Sequence, residues 1–354
     1  MGRFLLHRLL RLLPATWAIL SIIFLLSRSF SQQQLATGRL ADVSSTAHSA
    51  SGAQRELAER QLRARLGLAE PLFYFSAAPR ATAGLAARWQ WNGTTNQYHR
   101  WLRQLSRAEL GFSFRDEQPV TALLQRSLGY TLPLTAGAAA CTIGLAWLAA
   151  PYLGWPRRRR SALLSALYLL DALPLFVVAL LLLLLLANPD MLAWFPAYGL
   201  GREDPAASGL AQLQFRLYYL ALPILALTLV SLPALIVQLD AALRQELRAD
   251  YVVTARAKGL PEALVMRRHA LRNALLPALT LLTELLPGLV AGSVVVELVY
   301  SLPGMGRRLA EAAAAHDYPV LLGGVLLIAL VRLVAQVLAD VLYFLTDPRI
   351  RLSQ

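Results

Sequence analysis

Apolar blocks of roughly twenty residues, the length a helix needs to cross a bilayer, alternate along this chain with polar, arginine-bearing stretches. Six such blocks stand out: Leu9–Ser27, Leu128–Leu153, Ala162–Ala187, Leu217–Leu239, Leu275–Val299 and Val320–Leu345. Backbone inside lipid must satisfy its own hydrogen bonds, so each is predicted to be a helix. Between the first and second blocks lies about a hundred polar, arginine-rich residues, too long for a passive connection. Within it, Gln54–Leu66 has helical character, with Glu56/Arg60 and Glu59/Arg63 spaced i,i+4. The predicted division is an N-terminal end and first span over 1–30, an extracytoplasmic region over 31–127, and a five-helix core over 128–354 with a cytoplasmic loop at 240–274.

Composition sharpens this picture. The chain has 354 residues, 56% hydrophobic and 16% charged, against about 25% charged for a soluble protein. A net charge of +13 invites a nucleic-acid partner, but the distribution of the charge points to a membrane. With the N-terminus inside, Arg3, Arg8, Arg11, Arg157 to Arg160, Arg244, Arg248, Arg256, Lys258, Arg267, Arg268, Arg272, Arg349 and Arg351 fall on the cytoplasmic side. Only Arg202, Arg216, Arg307 and Arg308 fall in the two short outer loops. That bias of 16 to 4 orients the chain with both termini cytoplasmic. The start, MGRFLLHRLLRLLPATWAILSIIFLLS, has the look of a secretion signal, yet SRSFSQQQ after it offers no small-x-small cleavage site. It is read as a retained first span. Cys141 is the single cysteine, so neither a disulfide nor a cysteine metal site is predicted. The five histidines, His7, His48, His99, His269 and His316, have no metal-ligand spacing, and no G-x-x-x-x-G-K-[ST] phosphate loop occurs. Neither a metal nor ATP is expected on this chain, and no enzyme is predicted.

The most informative stretch is RQELRADYVVTARAKGLPEALVMRRHALRNALLP, from Arg244 to Pro277, with seven basic residues. Gln245–Lys258 is free of proline and glycine and is predicted to form one helix. Gly259 stands where a helix end needs a residue with positive φ. Arg256 and Lys258 in the last turn suit the helix dipole, and Pro261 suits the first turn of a second helix, with Glu262 beside it. Val252, Val253 and Ala255 would offer a small apolar surface to a partner, framed by arginines. By physics alone, a protein partner and an anionic lipid surface fit equally well.

TARAKGL followed by RHALRNALLP resembles the coupling loop, the "EAA" loop, of ABC-transporter permeases, specifically the dipeptide/oligopeptide/nickel importer group. Further pieces follow that group's order: LGLAEPL at Leu66–Leu72, QYHRWLRQL at Gln97–Leu105, ELGFSF at Glu109–Phe114, PVTALLQRSLGYTLPLT at Pro119–Thr135, AGSVVVELVYSLPGMGRRLAEAAAAHDYPVLLGGVLL, and VLADVLYFLTDPRIRL near the C-terminus. Three departures are visible: SQQQL at Ser31–Leu35 where a Pro-Gly-Asp-Pro-like turn is usual, an insertion-like segment Ser76–Asn96 carrying Trp89 and Trp91, and Val253-Thr254-Ala255 where Arg-Thr-Ala is usual. The resemblance implies an all-α membrane protein with six transmembrane helices, the type I ABC importer permease fold, and a large extracytoplasmic region after the first helix. It implies a multi-pass component of the bacterial inner membrane that forms half of a translocation pathway. Its partners would be a second homologous permease subunit, two ATP-binding cassette subunits that carry the ATP and Mg²⁺, an extracytoplasmic solute-binding protein, and membrane lipid, with no nucleic acid. Dipeptides, oligopeptides, nickel chelates, glutathione and glycans are all cargoes of such permeases. The ATPase dock would be the loop bearing Tyr251, Val252, Val253, Thr254, Ala255, Ala257, Lys258 and Gly259.

Other polar positions invite roles. Ionisable groups inside spans are costly. Asp171, Glu284 and Arg332 are predicted either to pair or to line the path and meet a substrate amine, while Glu297 and Asp340, near span ends, are given structural roles. An ion-coupled secondary transporter using Asp171 and Glu284 is the rival reading. In the outer loop, SLPGMG reads as turn chemistry, so Pro303, Gly304, Gly306 and Asp317 are candidate gate residues, with a short helix over Leu309–Ala315. Pro174 is predicted to kink the third span.

Overall fold

The computed structural model describes residue 14 and residues 17–25, 70–78, 88–154, 157–199 and 209–346. The predicted helix Gln54–Leu66, the departure SQQQL at Ser31–Leu35 and the C-terminal DPRIRL lie outside the described residues. The chain divides into two compact units, one of residues 1–8, 125–311 and 327–354, the other of residues 9–124 and 312–326.

Helix α2 (Val120–Ala149), in the first unit from Gln125 on, runs into a 3-10 turn, Ala150–Gly154, that contains Pro151. Pro133 lies inside α2. Nearby hydroxyls return hydrogen bonds to the helix: Thr135 donates to the Thr131 carbonyl at 2.8 Å and Thr142 to the Ala138 carbonyl at 2.7 Å, which keeps polar atoms satisfied without water. Helix α3 (Arg157–Asp171) and helix α4 (Leu175–Leu182) stand where a single third span is predicted. Pro174 caps α4 with φ −60° and ψ 143°, and the two pieces bend by 99°. The expected kink is therefore a full break: proline both lacks the amide for the helical ladder and forces the residue before it out of helical geometry. α4 ends in a π turn, Leu183–Ala187.

Helix α5 (Gly209–Glu246) contains Pro223 and Pro233 and is the spine of the unit. It packs on α3, α4 and α7 (Leu271–Val299). Two apolar cores form along it. One gathers Leu134, Ala138, Ala179, Leu222, Leu227, Leu289 and Tyr300. The other gathers Leu167, Ile236, Leu239, Leu243, Val252, Val265 and Ala274. Small residues set the spacing: a Cβ on Gly137 would lie 2.7 Å from Ile224 Cδ1. Two more helices, α8 (Met305–Ala314) and α9 (Tyr318–Thr346), complete the order.

The second unit holds a departure from the all-helical expectation. Strands β1 (Phe75–Ala78) and β2 (Arg88–Trp91) pair antiparallel, Phe75 opposite Trp91 and Ala77 opposite Trp89. The alternation Trp89-Gln90-Trp91 is a period-2 signal, too short to read against the surrounding helical text. Helix α1 (Gln97–Ser106) follows, with the Asn96 side chain accepting the His99 amide at 2.7 Å as N-cap.

Among the described residues, Val120–Leu153 and Gly209–Glu246 are each long and apolar enough to cross a membrane, and the bent pair Arg158–Asp171 with Leu175–Ala187 makes a third candidate.

Candidate functional site

The loop between α5 and α7 is built differently from the single helix predicted over Gln245–Lys258. α5 continues to Glu246, three residues turn, and helix α6 starts anew at Asp250 and ends at Ala257. Ala249 caps it with extended geometry and no side-chain bond, and Asp250 puts a negative charge in its first turn. Its C-terminus is closed by a Schellman motif. The Gly259 amide donates to the Arg256 carbonyl at 2.9 Å and the Leu260 amide to the Ala255 carbonyl at 3.4 Å, with Gly259 at φ +75°. Leu260 packs against the same core as Ala255, the apolar contact that accompanies this cap. Pro261 sits one place before the next helical residues, Glu262–Leu264, as their N-cap. These run through a π turn, Val265–Ala270, into α7.

The helix presents two faces. Val252 is 0% and Ala255 6% exposed, both inside the core shared with α5 and α7. So buried, they anchor α6 to the core and, contrary to the expected docking role, offer no surface to a partner; burying Val252 contributes about 1.5–3 kcal/mol and sets the height of α6. The outward face carries Tyr251, Val253, Thr254, Ala257, Lys258 and Gly259, with Val253 at 56%. Arg256 is committed within the loop. It forms a fork with Glu262 at 3.0 and 2.5 Å and donates to the Leu247 carbonyl at 3.3 Å. The hydrogen bond from Arg256 holds the Glu262 carboxyl below the usual carboxylate range. Tyr251 donates to Glu246 at 2.5 Å, and partial burial, then that hydrogen bond, raise its phenol.

Below the loop lies a cluster the sequence reading did not single out. Asp240, 5% exposed, accepts from Arg244 Nε at 2.9 Å and faces Arg160 Nε at 3.5 Å. The i,i+4 spacing of Asp240 and Arg244 was the available signal. Arg160, on α3, is brought in only by tertiary packing.

At the far end of α7 the outer-loop candidates fall into a second assembly. Glu297 is 0% exposed. It accepts from Thr131 at 2.6 Å and from the Arg307 amide at 3.0 Å, in the first turn of α8. Thr131 in turn accepts the Met305 amide at 2.8 Å. SLPGMG forms the turn between α7 and α8, but not through left-handed glycines. The residue with positive φ is Ser301, at 54°, whereas Gly304 and Gly306 are required by close approach. A Cβ on Gly304 would overlap the Glu297 carboxyl group, and one on Gly306 would lie 2.5 Å from Val294 Cα. Pro303 is exposed. The short helix starts at Met305 rather than Leu309. Beside this assembly α2, α7 and α9 line an open apolar pocket of about 240 Å³, bounded by Leu128, Thr131, Thr135, Val290, Met305 and Val331, among others.

In the second unit, Asp317 is 3% exposed. It accepts from the Ser113 hydroxyl and, at 3.1 Å, from the Phe114 amide, fixing the turn before α2 to the start of α9. Asp171, Glu284 and Arg332 are each exposed, and among the described residues no ion pair joins them. The expected cluster does not form within this chain. Asp171 ends α3 at the proline break, so it does not lie in mid-helix.

Residues 142–352 match the family model of the binding-protein-dependent transport system inner membrane component. The oligopeptide transport system permease protein AppB of Bacillus subtilis is 31% identical over 260 residues, 72% of this chain and 79% of that protein. The dipeptide transport system permease protein DppB of Alkalihalophilus pseudofirmus is 30% identical over 292 residues, 78% of this chain and 87% of that protein. A crystal structure of an amino acid ABC transporter with histidines aligns over 65% of this chain and 94% of that one, with 19% identity and a TM-score of 0.44.

Proposed function

The chain belongs to the family of binding-protein-dependent transport system inner membrane components, and on that premise we propose that it is the permease subunit of an ATP-driven importer of peptides. The peptide cargo follows the names of the two relatives above. In this reading six spans carry both termini to the cytoplasm, with the region before α2 outside. A second related permease completes the path, a solute-binding protein delivers cargo outside, and two ATPase subunits bind ATP and Mg²⁺ inside. This chain contributes no catalysis. Family membership gives no support to the ion-coupled reading based on Asp171 and Glu284. The exposure of Glu284 and Arg332 supports a reading in which they face the second permease or the path.

The observation that carries the proposal is the two-faced helix α6. Its inner face is locked into the core through Val252 and Ala255, so a push on the outer face moves α5 and α7 with it. ATPase closure would thus be transmitted as rigid-body motion to the spans. A docking surface needs this stiffness, whereas a helix that only rests on lipid does not.

The test is Val253→Glu with Lys258→Glu, which reverses the chemistry of the outer face without touching the core. The altered chain should insert normally, lose co-purifying ATPase, and lose uptake of a labelled dipeptide. Wild-type recovery of ATPase with normal uptake would leave α6 as a lipid-facing helix and remove the main support for this assignment. Uptake that continues without any ATPase subunit would revive an ion-coupled mechanism.

A further inference from the structure

One face of the two-stranded sheet in the second unit leaves its largest side chains exposed. The register puts Phe75, Trp89 and Trp91 on that face, and Ser76 and Gln90 on the opposite one. The three aromatic side chains are 51%, 72% and 61% exposed. A ribbon of eight residues that holds two tryptophans and a phenylalanine in the open is costly in water, where their area would otherwise be buried.

We propose that this face is a membrane anchor, seated in the headgroup region of the outer leaflet, and that its ligand is the phospholipid surface. This rests on the topology proposed above, in which the first apolar block is a span and the region after it is outside. The argument for lipid is continuity with that span. Ser21 and Tyr98 share a hydroxyl hydrogen bond of 2.7 Å. Phe24, 0% exposed, stacks on Trp101 with centroids 4.8 Å apart. Tyr98 meets Tyr74 at 6.0 Å, Tyr74 stacks on Trp91 at 5.8 Å, and Trp91 meets Phe75 at 4.7 Å. A chain of aromatic contacts therefore leads from the outer half of the first block to the open face of the sheet. On the helix itself, Trp17, Ile19 and Ile22 are more than half exposed, as lipid-facing residues would be. Tryptophan, with an apolar ring and one N–H donor, is the side chain best suited to the membrane–water boundary. The sheet is closed at its base, where the Asn92 amide donates to the Tyr74 carbonyl at 2.8 Å and the Asn92 side chain to the Phe73 carbonyl at 2.9 Å. The face is thus held at a fixed height relative to Ser21 and Phe24.

The experiment uses the assembled complex in proteoliposomes of phosphatidylethanolamine and phosphatidylglycerol. Cys141, the one native cysteine, is replaced by alanine, and a nitroxide is attached at Trp89→Cys or at Gln90→Cys. At position 89 collisions with oxygen should exceed those with a water-soluble nickel chelate, and at position 90 the order should reverse. Equal access of nickel to both positions overturns the anchor. So does protection of position 89 that appears only after solute-binding protein is added, which would make the face a protein dock. Externally added ascorbate should reduce the label at position 90; if it cannot, the outward topology fails, and the anchor with it. A second measurement avoids the cysteines. Lipids brominated near the headgroup should quench the tryptophan fluorescence of the unaltered chain more than that of the Trp89→Phe/Trp91→Phe chain. Identical fractional quenching overturns the proposal.

Discussion

Thr131 of α2 donates its hydroxyl to the buried Glu297 carboxylate of α7 at 2.6 Å while accepting the Met305 amide at 2.8 Å. One side chain thus links two long helices to the first turn of α8. Glu297 also takes the Arg307 amide, so a carboxylate from a neighbouring helix fills the place of an N-terminal cap, where negative charge is favoured.

Removal of that carboxylate should unlatch α8. Glu297→Ala leaves buried amides without an acceptor, at a cost of about 1–3 kcal/mol. Gly306→Ala should cost at least as much, since its Cβ would meet a backbone atom, Val294 Cα, at 2.5 Å, and overpacking costs about 1–3 kcal/mol. The thermal midpoint of the purified complex in detergent measures both. An unchanged midpoint for Gly306→Ala would disprove the close approach.

The Asp240 cluster predicts an asymmetry. Arg160 has 19% of its side chain exposed and Arg244 has 45%. Asp240→Ala leaves the more buried arginine unpaired and should destabilise by ~3 kcal/mol, the lower end for breaking a buried pair. Arg244→Ala should cost no more than about 1 kcal/mol, as for an exposed pair. Limited proteolysis of the α5–α7 loop against temperature would rank the two variants, and equal sensitivity would contradict the cluster's role.

At Gly259 the backbone alone sets the requirement. Its φ is +75° and nothing lies within 4 Å of an added Cβ. Gly259→Val should therefore lose ATPase binding through strain of about 1–2 kcal/mol, and Gly259→Asn should largely restore it, because asparagine tolerates this conformation. Equal loss for both residues would point to a steric contact with the partner instead.

The Arg256–Glu262 pair predicts a small acid effect. Glu262 is lowered from 4.5 in the folded loop. Its stabilisation is therefore complete above the unfolded value and is lost as pH falls through the lower folded one. With Arg256 41% and Glu262 64% exposed, the effect should be at most ~0.5 kcal/mol. Protection factors at the Gly259 and Leu260 amides, which divide out the intrinsic slowing of exchange in acid, should fall by no more than about twofold, and only in that acid range. Glu262→Gln should remove the pH dependence.

Asp171, Glu284 and Arg332 should behave independently. Each is exposed and no ion pair joins them, so a double-mutant cycle of Glu284→Gln with Arg332→Gln should be additive within about 0.3–0.5 kcal/mol, measured on chain stability. A larger coupling would place the pair across an assembled interface.

The apolar blocks, the basic loop and the glycine at 259 were legible in the sequence because each is a local property. Bilayer length, charge distribution and a demand for positive φ are written in consecutive residues. The same text placed α7 and α9 to within four residues at each end but left α5 short by eight residues at its start and seven at its end. It could not give the face of α6 that turns inward, because Val252, Val253 and Ala255 are all apolar or small and only the neighbouring helices decide which of them is buried. Nor could it distinguish a kink from a break at Pro174, since the missing amide is the same in both and the packing of α4 on α5 settles the angle. The glycines at 304 and 306 read as turn formers, yet one is shaped by a carboxylate seven residues earlier and the other by the backbone at Val294. Glu297, Thr131, Asp240 and Arg160 acquire their partners across 80 to 166 positions of chain. Contacts of that separation depend on how the helices cross, and a buried charge is tolerable only where that crossing supplies its partner.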